Sequence, residues 1–184
     1  MAVIKTKRAS GQQGFTLIDL LFVIALLGLV STLAMPGLMR ARVSAQSASA
    51  LGTIKVVNSA QLSYAITCGL GFYAPTFPNL GAIPPGGTDG FISGELSSGP
   101  TFIKSGYLFS MAGVARAGTP ASCNGVAAGQ ASAGYAVIAD PLDTTPPGKY
   151  FGSNSDGGVW QDTASFSATM PESGAPPQGA PIGK

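Results

Sequence analysis

Polar and apolar residues sort this chain into stretches with different rhythms. Residues 1–14 are polar and basic and close on Gly11-Gln12-Gln13-Gly14. From Phe15 the pattern turns apolar. Leu20 to Val30 has no polar side chain, and apart from Ser31 and Thr32 the run continues to Leu38. Counted as helix, Phe15 to Met39 spans 25 residues, or about 37 Å, enough to cross a hydrocarbon core of roughly 30 Å with some tilt. Pro36-Gly37 is expected to interrupt this helix, since proline removes a backbone hydrogen bond and clashes with the preceding turn. Ala41 to Ile66, rich in Ala, Gln, Leu and Ser, predicts that the helix resumes, with Gly52 its weak point. Leu51, Ile54, Leu62, Ala65 and Ile66 fall within one arc of it, although Lys55 and Asn58 intrude. Cys68-Gly69 supplies a stop signal. Phe15 to Thr67 is then one interrupted helix, about 80 Å long. A small domain cannot cover it, and its free half must find lipid or other subunits.

Past the helix the composition shifts to Gly, Pro, Ser and Thr. Gly69 to Lys104 carries turn signals at Pro75, Pro78, Pro84-Pro85-Gly86-Gly87 and Asp89-Gly90, and reads as an irregular connection with at most short strands. Strand candidates are Tyr107–Ala112, Tyr135–Ala139, Lys149–Phe151 and Val159–Gln161. The last two are joined by Gly152 to Gly158, which resembles a hairpin turn. The economical fold is α+β, with a small antiparallel sheet laid on the outer half of the long helix. Residues 170–184, with Pro-Glu-Ser-Gly-Ala-Pro-Pro, are expected to be a flexible tail.

Composition narrows the class. Only 10% of residues are charged and 45% are hydrophobic, whereas a soluble cytoplasmic enzyme carries charge on about a quarter of its residues. The formal net charge of +2 is misleading, because Lys5, Lys7 and Arg8 all precede the apolar run. Taking those three from the ten basic residues leaves seven against eight acids, a balance that does not attract nucleic acid. Basic residues ahead of a membrane helix favour a cytoplasmic N-terminus, a bias weakened by Arg40 and Arg42 on the far side. A secretory signal peptide is the local rival, opposed by the long apolar run, by Asp19 within it and by the lack of a small-x-small site directly after it.

Candidate chemistry is sparse. The chain has no histidine, which removes Ser-His-Asp and Cys-His catalysis and the commonest metal ligand. Two distant cysteines do not make a structural zinc site. Asp140-Pro141-Leu142-Asp143 reads as a turn. Asn154-Ser155-Asp156-Gly157 resembles a fragment of a calcium loop, but Gly152 and Thr163 stand where the first acid and closing glutamate would be needed. Tyr73, Phe77, Phe91 and Trp160 read as core. No catalytic residues, cofactor or metal are expected. Cys68 and Cys123 both lie beyond the apolar run; export would put them where a bridge forms, and the alternative is two unpaired small hydrophobes.

Asp19 is the residue out of place. A carboxylate at a bilayer centre costs about 2.5–3.5 kcal/mol, and less near the interface. With the basic leader, it completes a pattern: Gly14-Phe15-Thr16-Leu17-Ile18-Asp19-Leu20-Leu21 resembles the processing site of type IV pilins and the related pseudopilins. The resemblance is strong over the first third of the chain and loose beyond it. It implies cleavage between Gly14 and Phe15 by a membrane-embedded prepilin peptidase, and N-methylation of Phe15. That family usually has glutamate where this chain has Asp19, so the charge is kept on a side chain one methylene shorter. Gly28 and Pro36 fall where the family tends to place a glycine and a proline, here read as kink points.

The resemblance thus implies a cleaved leader (1–14), a transmembrane and assembly half-helix (15–39), an exported pilin-like domain (40–169) and the tail. Asp19 would act in assembly. Expected partners are the peptidase, the inner membrane, further copies of the chain and other pilins or pseudopilins. The precursor would sit in the inner membrane with its N-terminus cytoplasmic, and the product in a cell-surface filament or a periplasmic pseudopilus. Three functions stay open at this point: a pilus subunit, a pseudopilin of a type II secretion system, and a membrane-anchored binding domain that never polymerises.

Overall fold

The computed structural model describes residues 14–144 and 148–183. The stretch expected to be a cleaved leader (1–14) therefore lies outside the described residues except for Gly14. The chain divides into two units between Arg42 and Val43. One helix, α1 (Leu17–Thr67), belongs to both.

In the first unit, α1 begins behind Thr16 and stays helical through Pro36 and Gly37. The expected interruption is absent. Proline in place deprives only the Thr32 carbonyl of its partner, whereas a break would orphan several backbone groups on each side. The two hydroxyls in the apolar run are satisfied within the helix: Ser31 Oγ donates to the Leu27 carbonyl at 2.7 Å and Thr32 Oγ1 to that of Leu29 at 2.8 Å.

In the second unit, Ala50, Thr53, Ile54, Val57, Ala60, Gln61, Tyr64, Ala65 and Cys68 are buried, at the three- and four-residue spacing of one helix face. Two of the five residues of the expected arc are exposed, while Leu51 packs partly buried against the core. Ile54 and Ala65 lie on the buried face, but Leu62 is 56% exposed and Ile66 73%. Gln61 takes their place because its amide pairs as a strand would: Nε2 donates to the Ala74 carbonyl at 2.8 Å and Oε1 accepts from the Ala74 N–H at 3.0 Å. A buried polar side chain with both ends matched loses little on leaving water.

The helix ends at Thr67, and at Gly69 the chain passes so close to itself that a Cβ would stand 2.2 Å from the Phe72 carbonyl oxygen. A short helix, α2 (Phe77–Gly81), is capped by Thr76 and fixes Phe77 and Leu80 in the core. Six strands then follow: β1 (Thr101–Lys104), β2 (Tyr107–Ala112), β3 (Ala136–Pro141), β4 (Tyr150–Asn154), β5 (Val159–Asp162) and β6 (Ala180–Pro181). Each pairs antiparallel with the next, so the sheet is a meander in chain order. The α+β class is as expected.

The inner sheet face meets the buried face of α1. Phe102, Tyr107, Phe109, Met111, Val137 and Phe151 join Ile54, Val57 and Tyr64 in one core, with Phe102 stacked on Phe109 at 4.8 Å and edge-on to Phe77 at 4.9 Å. Asn58 ties helix to sheet, donating to Ser153 Oγ at 2.7 Å and accepting from the Tyr135 hydroxyl at 3.0 Å. Cys68 and Cys123 form a disulfide, with Cα atoms 4.9 Å apart across a separation of 55 residues. It joins the end of α1 to the β2–β3 connection.

The stretch expected to be a flexible tail is bound into the sheet. Asn154 Nδ2 donates to the Pro171 and Gly174 carbonyls at 3.1 and 2.7 Å, Ser155 N–H donates to the Glu172 carbonyl at 3.2 Å, and Ile182 N–H reaches the Val159 carbonyl at 2.7 Å. Its proline content misled, because the segment is held by carbonyls such as that of Pro171, which proline keeps, and by N–H groups of its non-proline residues Gly174 and Ile182. Just before it, fully buried Phe166 covers the outer face at Gly152, where a Cβ would meet Met170 Sδ at 2.9 Å and the Phe166 ring at 3.0 Å.

Candidate functional site

The residues singled out at the start of the chain occupy the first turn of α1. Gly14 has open space around it, and Phe15 is 88% exposed. Thr16 is the helix N-cap and Asp19 lies three residues on, the two ends of a capping box. The Asp19 N–H donates to Thr16 Oγ1 at 3.3 Å, and the Thr16 N–H donates to Asp19 Oδ2 at 3.1 Å. The Thr16 hydroxyl also donates to the same Oδ2 at 2.5 Å. Asp19 therefore already has a partner in its own chain. Sequence reasoning missed Thr16, although threonine followed three residues later by an acid and an apolar run is itself the signal.

Around this turn the surface is apolar. Leu17, Ile18, Leu20, Leu21, Phe22 and Ile24 are all at least half exposed, and nothing in the most apolar 18-residue window of α1 is buried. By length and composition this helix can cross a membrane. Gly28 lies inside it with no atom within 4 Å of a would-be Cβ, and Pro36 follows two turns later. A helix apolar on every side, with one carboxylate near its start, can insert into lipid or bundle with like helices.

The second unit offers less chemistry. Shallow grooves of about 400 and 490 Å³ flank α1; the first is lined by Lys55, Val56, Ser59, Ala60, Ser63 and Phe91, the second by Val56, Ile83, Asp89, Phe91 and Lys104 among others. Among the described residues, no group of three or more Cys, Asp and Glu side chains gathers where a metal could sit. Asp156, in the calcium-like fragment, accepts the Gly174 N–H at 2.6 Å and so holds the C-terminal segment. Asp140 accepts from Ser165 Oγ at 2.8 Å, while its buried Oδ1 has no hydrogen-bond partner among the described residues. Burial raises its pKa above the usual carboxylate value, partly countered by that hydrogen bond. The site residues thus stay in two groups, Gly14 to Pro36 in the first unit and the Cys68–Cys123 bond in the second.

The chain matches no family model, no curated protein and no solved structure.

Proposed function

We propose that the chain is a structural subunit of a type IV pilus or pilus-like filament, not an enzyme. The carrying observation is the first half of α1: an apolar helix exposed on all sides, headed by Gly14-Phe15 and holding the single carboxylate Asp19. Supporting it is the second unit, where a helix face packs on a small antiparallel sheet, the pilin-like arrangement that the N-terminal resemblance implies. After cleavage, the new amino terminus of Phe15 is the nearest positive charge that processing creates for Asp19. In a bundle, a neighbour's terminus offers the same charge. Low dielectric strengthens such a pair while desolvation offsets much of the gain. The pair therefore acts mainly on register, penalising any stagger that leaves a carboxylate or a terminus alone. Leu20 to Leu38 supplies the packing.

The test is the material sheared from the surface of cells that express the chain. It should contain filaments built of this protein, and Asp19→Ala should insert and be cleaved normally yet assemble poorly. Filaments lacking the chain, found with it only in the cell envelope beside a secretion machine, would favour the pseudopilin reading. Normal filament yield from the alanine variant would remove Asp19 from the mechanism.

A further inference from the structure

The sheet ends at β1 on an open edge. The two-residue turn Ser105-Gly106 makes Lys104 and Tyr107 a hydrogen-bonded pair, so Phe102 and Lys104 bond to β2 while Thr101 and Ile103 turn their N–H and C=O groups away from it. Both outward residues are exposed, and among the described residues nothing else bonds to those groups. Strand alternation puts Lys104 on the inner face with buried Phe102. There it lines a groove of about 490 Å³ with Val56 of α1 and with Ile83 and Phe91 of the α2–β1 connection. A second groove of about 400 Å³ shares Val56 and Phe91 and carries Lys55. Among the described residues neither lysine pairs with a carboxylate. Asp89, the one acid lining the grooves, accepts from Thr88 Oγ1 at 2.8 Å.

We propose that the β1 edge and its grooves bind an extended, apolar and acidic peptide segment of another protein, which adds to the sheet as a further antiparallel strand. Ile103 exchanges both of its outward hydrogen bonds with the residue opposite it, as in other strand additions. Lys104 then faces its opposite residue in a non-hydrogen-bonded pair, where side chains stand closest, and a carboxylate there meets an ammonium that has no partner of its own. The next side chain on that face is apolar and fills the groove over Val56 and Phe91, with Lys55 beyond it for a second acid. This site is independent of whether the chain forms filaments.

Charge also argues against a second copy as the occupant. Two β1 edges laid together would bring lysine toward lysine, and a lysine on a four-residue edge strand deters such pairing. Elsewhere in the second unit Asp140, Asp143, Asp156, Asp162 and Glu172 already hold partners within the chain. A copy of this domain therefore has no free acidic strand to offer.

The experiment titrates full-length protein in detergent with a fluorescent, end-blocked probe peptide, Ser-Val-Glu-Val-Leu-Thr-Glu, and reads anisotropy. Its first glutamate is set opposite Lys104 and the valine after it opposite Ile103. Wild type should bind saturably. Lys104→Glu should weaken binding by about tenfold or more, and a probe with lysine for that glutamate should restore it to this variant. Ile103→Pro removes one outward N–H without touching the bonds to β2, a change that an edge strand tolerates, and should cost about fivefold. The same bond is tested without altering the protein. N-methylation of the valine opposite Ile103 should abolish binding, whereas N-methylation of the following leucine, whose amide points away, should leave it unchanged. Absence of saturable binding by wild type would overturn the proposal. So would binding indifferent to the charge swap and to the position of the N-methyl group, which would mark adsorption on apolar surface. Self-association of the protein alone that Ile103→Pro abolishes would assign the edge to a second copy and overturn it too.

Discussion

The two halves of α1 follow one backbone geometry and opposite surface rules. Before Arg42 the helix is apolar in nearly every direction and its side chains are exposed. After Val43 it is more polar, yet Ala50, Ile54, Val57 and Tyr64 are completely buried. Apolar content alone does not mark a core. A half that finds an intramolecular partner needs only a stripe, and one that is apolar all round is written for a solvent or partner other than water. The second half also places Gln61 at its centre, a choice that makes sense only where a fixed neighbour supplies matching backbone groups.

Substitutions should separate the halves, beginning where the effect is largest. Replacing both Cys68 and Cys123 by serine removes a link across 55 residues and should cost about 4 kcal/mol of domain stability by the chain-entropy estimate. Urea unfolding in detergent, followed by Trp160 fluorescence, checks it; an unchanged midpoint would mean that packing alone holds the end of α1. Ile54→Ala should cost about 3 kcal/mol, as expected for a large-to-small change in a packed core. Ile24→Ala, at a position 58% exposed, should leave that unfolding transition where it is. Equal losses from the two would erase the contrast between the halves.

Gly152→Ala probes the segment that covers the outer face. Its new methyl must displace Met170 or Phe166, for about 2 kcal/mol, and proteolysis after residue 165 should accelerate. The smallest effect concerns pH. Burial raises the folded-state pKa of Asp140, so the folded domain holds this proton more tightly than the unfolded chain does. The contribution is fully present in acid and lost as pH rises through that raised pKa. Asp140→Asn should flatten this part of the stability profile, as read from unfolding midpoints across the acid limb. A profile that keeps its slope would assign it to another carboxylate.

Much of this fold is legible in the residue pattern, and its gaps have specific causes. The apolar run, the helix stop after Thr67 and the strands around Tyr107–Ala112, Tyr135–Ala139, Lys149–Phe151 and Val159–Gln161 stand out because each has its own local period and punctuation. β1 escapes, since a four-residue edge strand has little period to show, although Ser105 and Gly106, both at positive φ, form the tight turn that pairs it with β2. The C-terminal segment escapes because tertiary hydrogen bonds hold it without any hydrophobic rhythm of its own. At the candidate site, Gly14, Phe15 and Asp19 are visible from type and spacing. Thr16 is not, as long as Asp19 is read as a charge lacking a partner instead of as half of a capping box.

The central claim is that the exposed half of α1 is made for insertion and bundling after its leader is removed. Its most direct test is the mass of the N-terminal peptide from protein purified out of the membrane and from sheared filaments. The account predicts a chain starting at Phe15, heavier by one methyl group on its amine and without Lys5, Lys7 and Arg8. A chain that retains Met1, or one cut near Ala45 and released without the apolar helix, would contradict it.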